Sequence, residues 1–249
     1  MSFWSAWWRR RAAGVPDTAR PAHGRADGGD RSGATGRQTA PEAVQDAATP
    51  QDGIAVELRG LAMRFGAVEA LRGLDARIPA GRITGLVGPD GAGKTTLLRI
   101  LMGLEVPTSG SVEGVGRVGA VFQEDRLCPQ LTPEENVALV LPVEQYKAKT
   151  QYKEQIKKDL IQLGLDDEAL ALPARKLSGG QKRRTALLRA LWAESDTLLL
   201  DEPFTGMDPA AMKKAAAMLK ARCGAKPALL ATHDQAAIRE LGWRVIELG

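Results

Sequence analysis

Long apolar runs are missing from this sequence. No stretch approaches the ~20 apolar residues that a helix needs to cross a bilayer, so membrane contact is expected to be peripheral. Cysteine is scarce. Cys128 and Cys223 stand far apart and in no metal-ligand spacing, which argues against a disulfide framework or a zinc site and for reduced thiols in a cytosolic setting. Charge of one sign is also lacking. The formal balance is +4, and the seven arginines of residues 1–52 face six acids, so no basic face for nucleic acid is expected. A soluble globular domain is left, with 44% hydrophobic and 26% charged residues, long enough for one large α/β domain plus a tail.

The tail is residues 1–53. From Val15 to Gly53 the chain is mostly Ala, Gly, Pro, Arg, Asp, Thr and Gln without apolar periodicity. Such a segment cannot bury enough surface to offset its ordering entropy, and disorder is expected. Phe3, Trp4, Trp7 and Trp8 would share one helical face ahead of Arg9, Arg10 and Arg11. That pattern suits an interfacial anchor, a floppy end or a wrongly chosen upstream start codon, but not a signal peptide, since no apolar core follows the arginines.

Ordered sequence begins near Ile54. Ile54, Val56 and Leu58 alternate as in a strand, and Leu74–Ile78 offers a second. Ile83–Val87 is a short apolar run ending in a glycine loop, followed by a helix from about Lys94 to Met102. Val118–Phe122 reads as a strand, and about Asn136 to Ala174 reads as helical, with Ile156, Leu160 and Leu163 on one face. Strand and helix then alternate: Leu198–Leu200, a helix over Pro209–Arg222, Ala228–Ala231, another helix, and Val245–Leu248. This alternation implies a mostly parallel sheet covered on both faces, with the helical stretch as an insertion.

Gly88-Pro89-Asp90-Gly91-Ala92-Gly93-Lys94-Thr95 satisfies G-x-x-x-x-G-K-[ST] between a strand and a helix. Glycines let the backbone curl its N–H groups toward a phosphate, and the helix dipole adds positive potential. Lys94 would reach the β- and γ-phosphates, Thr95 would ligate Mg2+, and Thr96 continues the wrap. Leu198-Leu199-Leu200 delivers Asp201 and Glu202 at a strand end, the first for the Mg2+ shell, the second to orient or deprotonate a water.

Three more segments narrow the field. Leu177-Ser178-Gly179-Gly180-Gln181 opens a helix; Phe122-Gln123 ends a strand 29 positions after Lys94; Ala231-Thr232-His233-Asp234 follows an apolar strand, with His233 the only histidine outside the tail. In this order they resemble the ABC (ATP-binding cassette) ATPases, over residues 54–249. The resemblance implies a P-loop NTPase fold with a mostly parallel core sheet. To it belong an inserted helical subdomain at about 128–176 and a small N-terminal antiparallel β part. It implies that Ser178, Gly179, Gly180 and Gln181 are offered to ATP held by another subunit. Gln123 would contact the metal and water, His233 would act as the switch histidine, and Asp208 would sit at the dimer seam. Phe65 stands where the family places an aromatic under adenine, although a tyrosine is more usual there.

A single phosphate loop and a single signature imply a dimer, either of two copies or with a related subunit. Lys94 and Ser178 stand 84 positions apart, too close for the coiled coil of DNA-repair relatives. Val121 to Leu127, with Pro129, Leu131, Thr132, Glu135, Asn136 and Val137, resembles the import ATPases for nitrate, sulfonate and taurine. The sequence stops at Gly249 after the last strand pattern, and no regulatory domain is expected. These features favour a peripheral subunit on the inner face of the cell membrane, working with integral permease subunits and, through them, a solute-binding protein. The phosphate loop and Thr205-Gly206-Met207-Asp208 look slightly more like export ATPases, and an iron–sulfur assembly ATPase is the soluble alternative.

Overall fold

The computed structural model describes residues 53–142, 149–234, 238 and 243–249. The aromatic–arginine segment, the tail through residue 52, and the helix expected after Ala231 in large part lie outside the described residues.

The chain starts with a long hairpin, β1 (Ile54–Phe65) and β2 (Val68–Pro79), whose partner β4 (Ser109–Glu113) lies on the other side of β1. All these pairings are antiparallel. The strands run much further than alternation suggested. Leu58 and Leu61 are both buried although three residues apart, as are Leu71 and Leu74. The pairing slips between Leu58 and Leu61, and Gly60 at φ 55 lies within that slip. An extra residue of this kind keeps both leucines on the core face and hides the period of two.

The second sheet is parallel, in the order β5 (Val118–Val121), β6 (Thr197–Asp201), β7 (Ala228–Ala231), β3 (Ile83–Val87), β8 (Arg244–Glu247). β3, β6 and β7 are buried at every position. Continuous apolar runs are what a strand with both faces covered requires. β7 pairs with β3 on one side and β6 on the other, so Ala231 lies opposite both Leu86 and Asp201.

The helices are α1 (Lys94–Leu101), α2 (Pro133–Ala138), α3 (Lys149–Gln162), α4 (Asp167–Ala171), α5 (Gly179–Trp192) and α6 (Pro209–Cys223). The expected helical stretch is thus broken into pieces, with Thr132 and Asp166 capping α2 and α4. α2 and α3 pack against α5. Ile156, Leu160 and Leu163 enter the same buried cluster as Leu187, Leu188 and Leu198, so insertion and sheet share a core. Beneath it, buried Asp159 accepts from Trp192 Nε1 at 2.9 Å and pairs with Arg222, tying α3 to the C-terminal ends of α5 and α6. Among the described residues no helix is long and apolar enough to cross a membrane.

Candidate active site

The carboxyl ends of β3, β6 and β7 converge, which is where ligands bind in open α/β sheets. After β3 the chain turns through Gly88–Gly93 into α1. Gly93 is the α1 N-cap at φ 95, and a Cβ there would lie 2.4 Å from Ala70 O and 2.9 Å from Leu71 Cδ2. Gly93→Ala is therefore expected to destabilise the fold by about 1–3 kcal/mol, seen as a lower denaturant midpoint with an unchanged slope. Buried Lys94 donates to Gly88 O at 2.6 Å and Pro89 O at 2.9 Å, so its ammonium lies within the loop's own curve. Asp90 is fully exposed and 4.0 Å from Lys94 Nζ.

The residues after β6 meet this loop. Thr95 Oγ1 donates to Asp201 Oδ2 at 2.9 Å, joining two residues 106 positions apart. Burial pushes the Asp201 carboxyl above its ordinary range; the Thr95 hydrogen bond and the charges of Arg183 and Lys94 pull the other way. Two hard oxygens side by side at the foot of a phosphate loop suit Mg2+, which is held by few protein ligands together with substrate phosphates.

Glu202 follows with φ 48, a left-handed backbone that is uncommon for a residue with a side chain. Its N–H donates to Ala231 O at 2.9 Å. Its carboxylate accepts from Thr232 Oγ1 at 3.1 Å and His233 N at 2.9 Å, and lies 2.8 Å from His233 Nδ1. The hydrogen bond and charge of Glu202 raise the pKa of exposed His233 above its ordinary 6.5. A raised folded-state value means the pair's contribution is fully present below pH 6.5 and fades as pH rises through the shifted pKa. In an NMR titration the His233 imidazole should titrate above 6.5, and Glu202→Gln should move it back down.

The remaining expected residues are spread around this centre. Phe65 stands at the end of β1, 48% exposed and paired with Val68 across a two-residue turn. An exposed ring at a hairpin tip is available for stacking. Gln123 is exposed just beyond β5. Ser178 caps α5: its Oγ accepts from Gln181 N at 3.3 Å, and Gln181 Oε1 accepts from Ser178 N at 2.8 Å. Gly179 has open space beside it, while a Cβ on Gly180 would meet Gly206 O at 2.7 Å, so the signature packs on the loop before α6. Asp208 caps α6, accepting from Ala211 N at 2.9 Å. The structure thus brings Lys94, Thr95, Asp201, Glu202 and His233 into one cluster, while the side-chain hydrogen bonds of Ser178 and Gln181 run to each other.

Residues 71–205 match the family described as ABC transporter. The chain belongs to the ABC transporter family. It is an ATP-binding, ATP-hydrolysing subunit of that family. The aliphatic sulfonates import ATP-binding protein of Xanthomonas axonopodis pv. citri (strain 306) is 40% identical over 196 residues, spanning 75% of this chain and 77% of that protein. The methionine import ATP-binding protein of Brucella abortus (strain 2308) is 37% identical over 215 residues, covering 78% of this chain and 57% of that protein. Among solved structures, a dimeric post-hydrolysis state of an ATP-binding cassette bound to ADP and Pi matches with TM-score 0.65 and 27% identity, over 78% of this chain and 94% of that one. The parallel core, the small antiparallel sheet and the helical insertion are those of an ABC cassette.

Proposed function

We propose that this ABC subunit drives uptake of a small solute through a membrane permease, closing on ATP as a dimer and reopening after hydrolysis. The observation that carries hydrolysis is Glu202, its carboxylate fixed by Thr232 and His233 next to the Thr95–Asp201 pair. A carboxylate held in this way can orient and deprotonate a water. Phe65 stacks under adenine, and the backbone of Gly88, Pro89, Asp90, Gly91, Ala92 and Gly93, with Thr96, wraps the phosphates. Lys94 leaves its carbonyl partners for the γ-phosphate. Thr95 and Asp201 would hold Mg2+, with Gln123 contributing beside them. When bound, Mg2+ neutralises charge that develops on the phosphates. His233 steadies the same charge.

The self-capped Ser178 and the open face at Gly179 fit a surface offered, with Gly180 and Gln181, to ATP on a second copy. A serine, two glycines and free helix N–H groups make an anion site. Asp208 lies at the same seam. Uptake rather than export is supported by the relatives, which are named as import ATP-binding proteins for sulfonates, methionine and Fe(3+) ions. The permease holds the subunit at the inner face of the cell membrane. Purification of the tagged chain from its native membranes in gentle detergent should bring down a multi-span permease with a solute-binding protein. Recovery of soluble partners alone, such as iron–sulfur scaffolds, would overturn the transport reading.

A further inference from the structure

Arg183 lies five positions after Ser178 on α5, between Lys182 and Arg184. Unlike most arginines on a helix, it is 5% exposed. A buried guanidinium is costly unless its donors are satisfied and its charge is paired. Both conditions are met by the segment that carries Gln123. Nη1 donates to Phe122 O at 2.6 Å, Nη2 donates to Gln123 O at 2.8 Å, and Nη1 lies 3.1 Å from Asp125 Oδ1.

Six residues along the helix Arg189 repeats the pattern, donating to Asp125 O at 2.9 Å and Arg126 O at 2.7 Å. Two arginines of one helix therefore hold four carbonyls between residues 122 and 126. β5 has already ended at Val121, so these carbonyls receive side-chain donors in place of a sheet ladder. Arg126 sits at φ 47 with its guanidinium 4.0 Å from the Phe122 ring centroid, so the segment is also pinned from its own side.

We propose that Arg183 is a positioning residue for ATP hydrolysis: by clasping the backbone at Phe122 and Gln123 it sets where the Gln123 side chain points, and joins that setting to the helix whose N-terminus is the signature. This inference rests on the role given to Gln123 above. A planar fork suits the task because its two donors span adjacent carbonyls at once, which a single ammonium cannot. A shift of the Gln123 segment then pulls on α5 directly, so Gln123 and Ser178 move as one unit.

The test is a double-mutant cycle on the full chain, with MgATP turnover and thermal melting measured for Arg183→Gln, Gln123→Ala and the double variant. Arg183→Gln should lower kcat about 10-fold with KM for MgATP within about 3-fold, and the double variant should match Gln123→Ala within about twofold. Arg183→Lys, which keeps the buried charge, enters the same cycle so that the outcome does not hang on how well Arg183→Gln folds; it should fall between wild type and Arg183→Gln and be equally non-additive. Losses that multiply, or that track melting temperature alone, would reduce Arg183 to a structural ion pair. A Gln123→Ala chain with wild-type kcat would overturn the role of Gln123 and, with it, that of Arg183.

Discussion

Glu202→Gln is expected to abolish turnover while ATP stays bound. The substitution keeps the side chain's size and one of its two acceptor oxygens, so either the Thr232 hydroxyl or the His233 N–H retains its partner, but it removes the negative charge. An amide cannot take a proton from water, and losing a positioned base costs roughly 10²- to 10⁴-fold. Thr95, Asp201 and Lys94 are untouched, so nucleotide affinity should hold within about threefold of wild type, as expected when only the transition state loses an interaction. If hydrolysis is what lets two subunits part, the variant should also run as a dimer in gel filtration with MgATP and as a monomer without it. Turnover within about twofold of wild type would remove Glu202 from the reaction.

Lys94→Ala is expected to act at the earlier step. Lys94 is the buried cation of the loop, with its ammonium already curled among the carbonyls of Gly88 and Pro89. Truncation leaves those carbonyls without their donor and the phosphates without their charge partner. Hydrogen bonds to charged groups contribute about 1.5–3 kcal/mol each. ATP affinity should therefore fall by at least about 10-fold, and more than one lost bond would take it beyond about 100-fold. Fluorescent-nucleotide titration reads this directly, and near-normal binding would refute the phosphate-loop assignment.

Much of this was legible because side-chain identity itself carried the signal. Gly93-Lys94-Thr95 and Asp201-Glu202 announce their chemistry wherever the chain places them, and the apolar run before each marks a strand end. Other features were hidden because backbone geometry decides them. β4, Ser-Gly-Ser-Val-Glu, is almost wholly exposed and pairs at the edge of its sheet, so no hydrophobic alternation betrays it. The slip near Gly60 made a twelve-residue strand look like a short one. The helical stretch up to Ala174 read as one pattern, yet Gly164 at φ 88 and Pro173 punctuate it. Arg183 carried no legible role in the sequence, because its partners come from 60 positions away, a distance that no local pattern spans.

The place of β7 in the sheet has a consequence for size. Its four residues, Ala-Leu-Leu-Ala, carry no reactive group, yet it separates the strand that leads into the phosphate loop from the strand that ends in the acids. Neighbouring strands lie about 4.8 Å apart, so β3 and β6 stand roughly 10 Å apart. That gap is wide enough for a terminal phosphoryl group and a water in line behind it, while Thr95 and Asp201 still touch across one corner. A chemically silent strand is thus the caliper of the site, and its width sets the size of the transferred group the two walls can grip together.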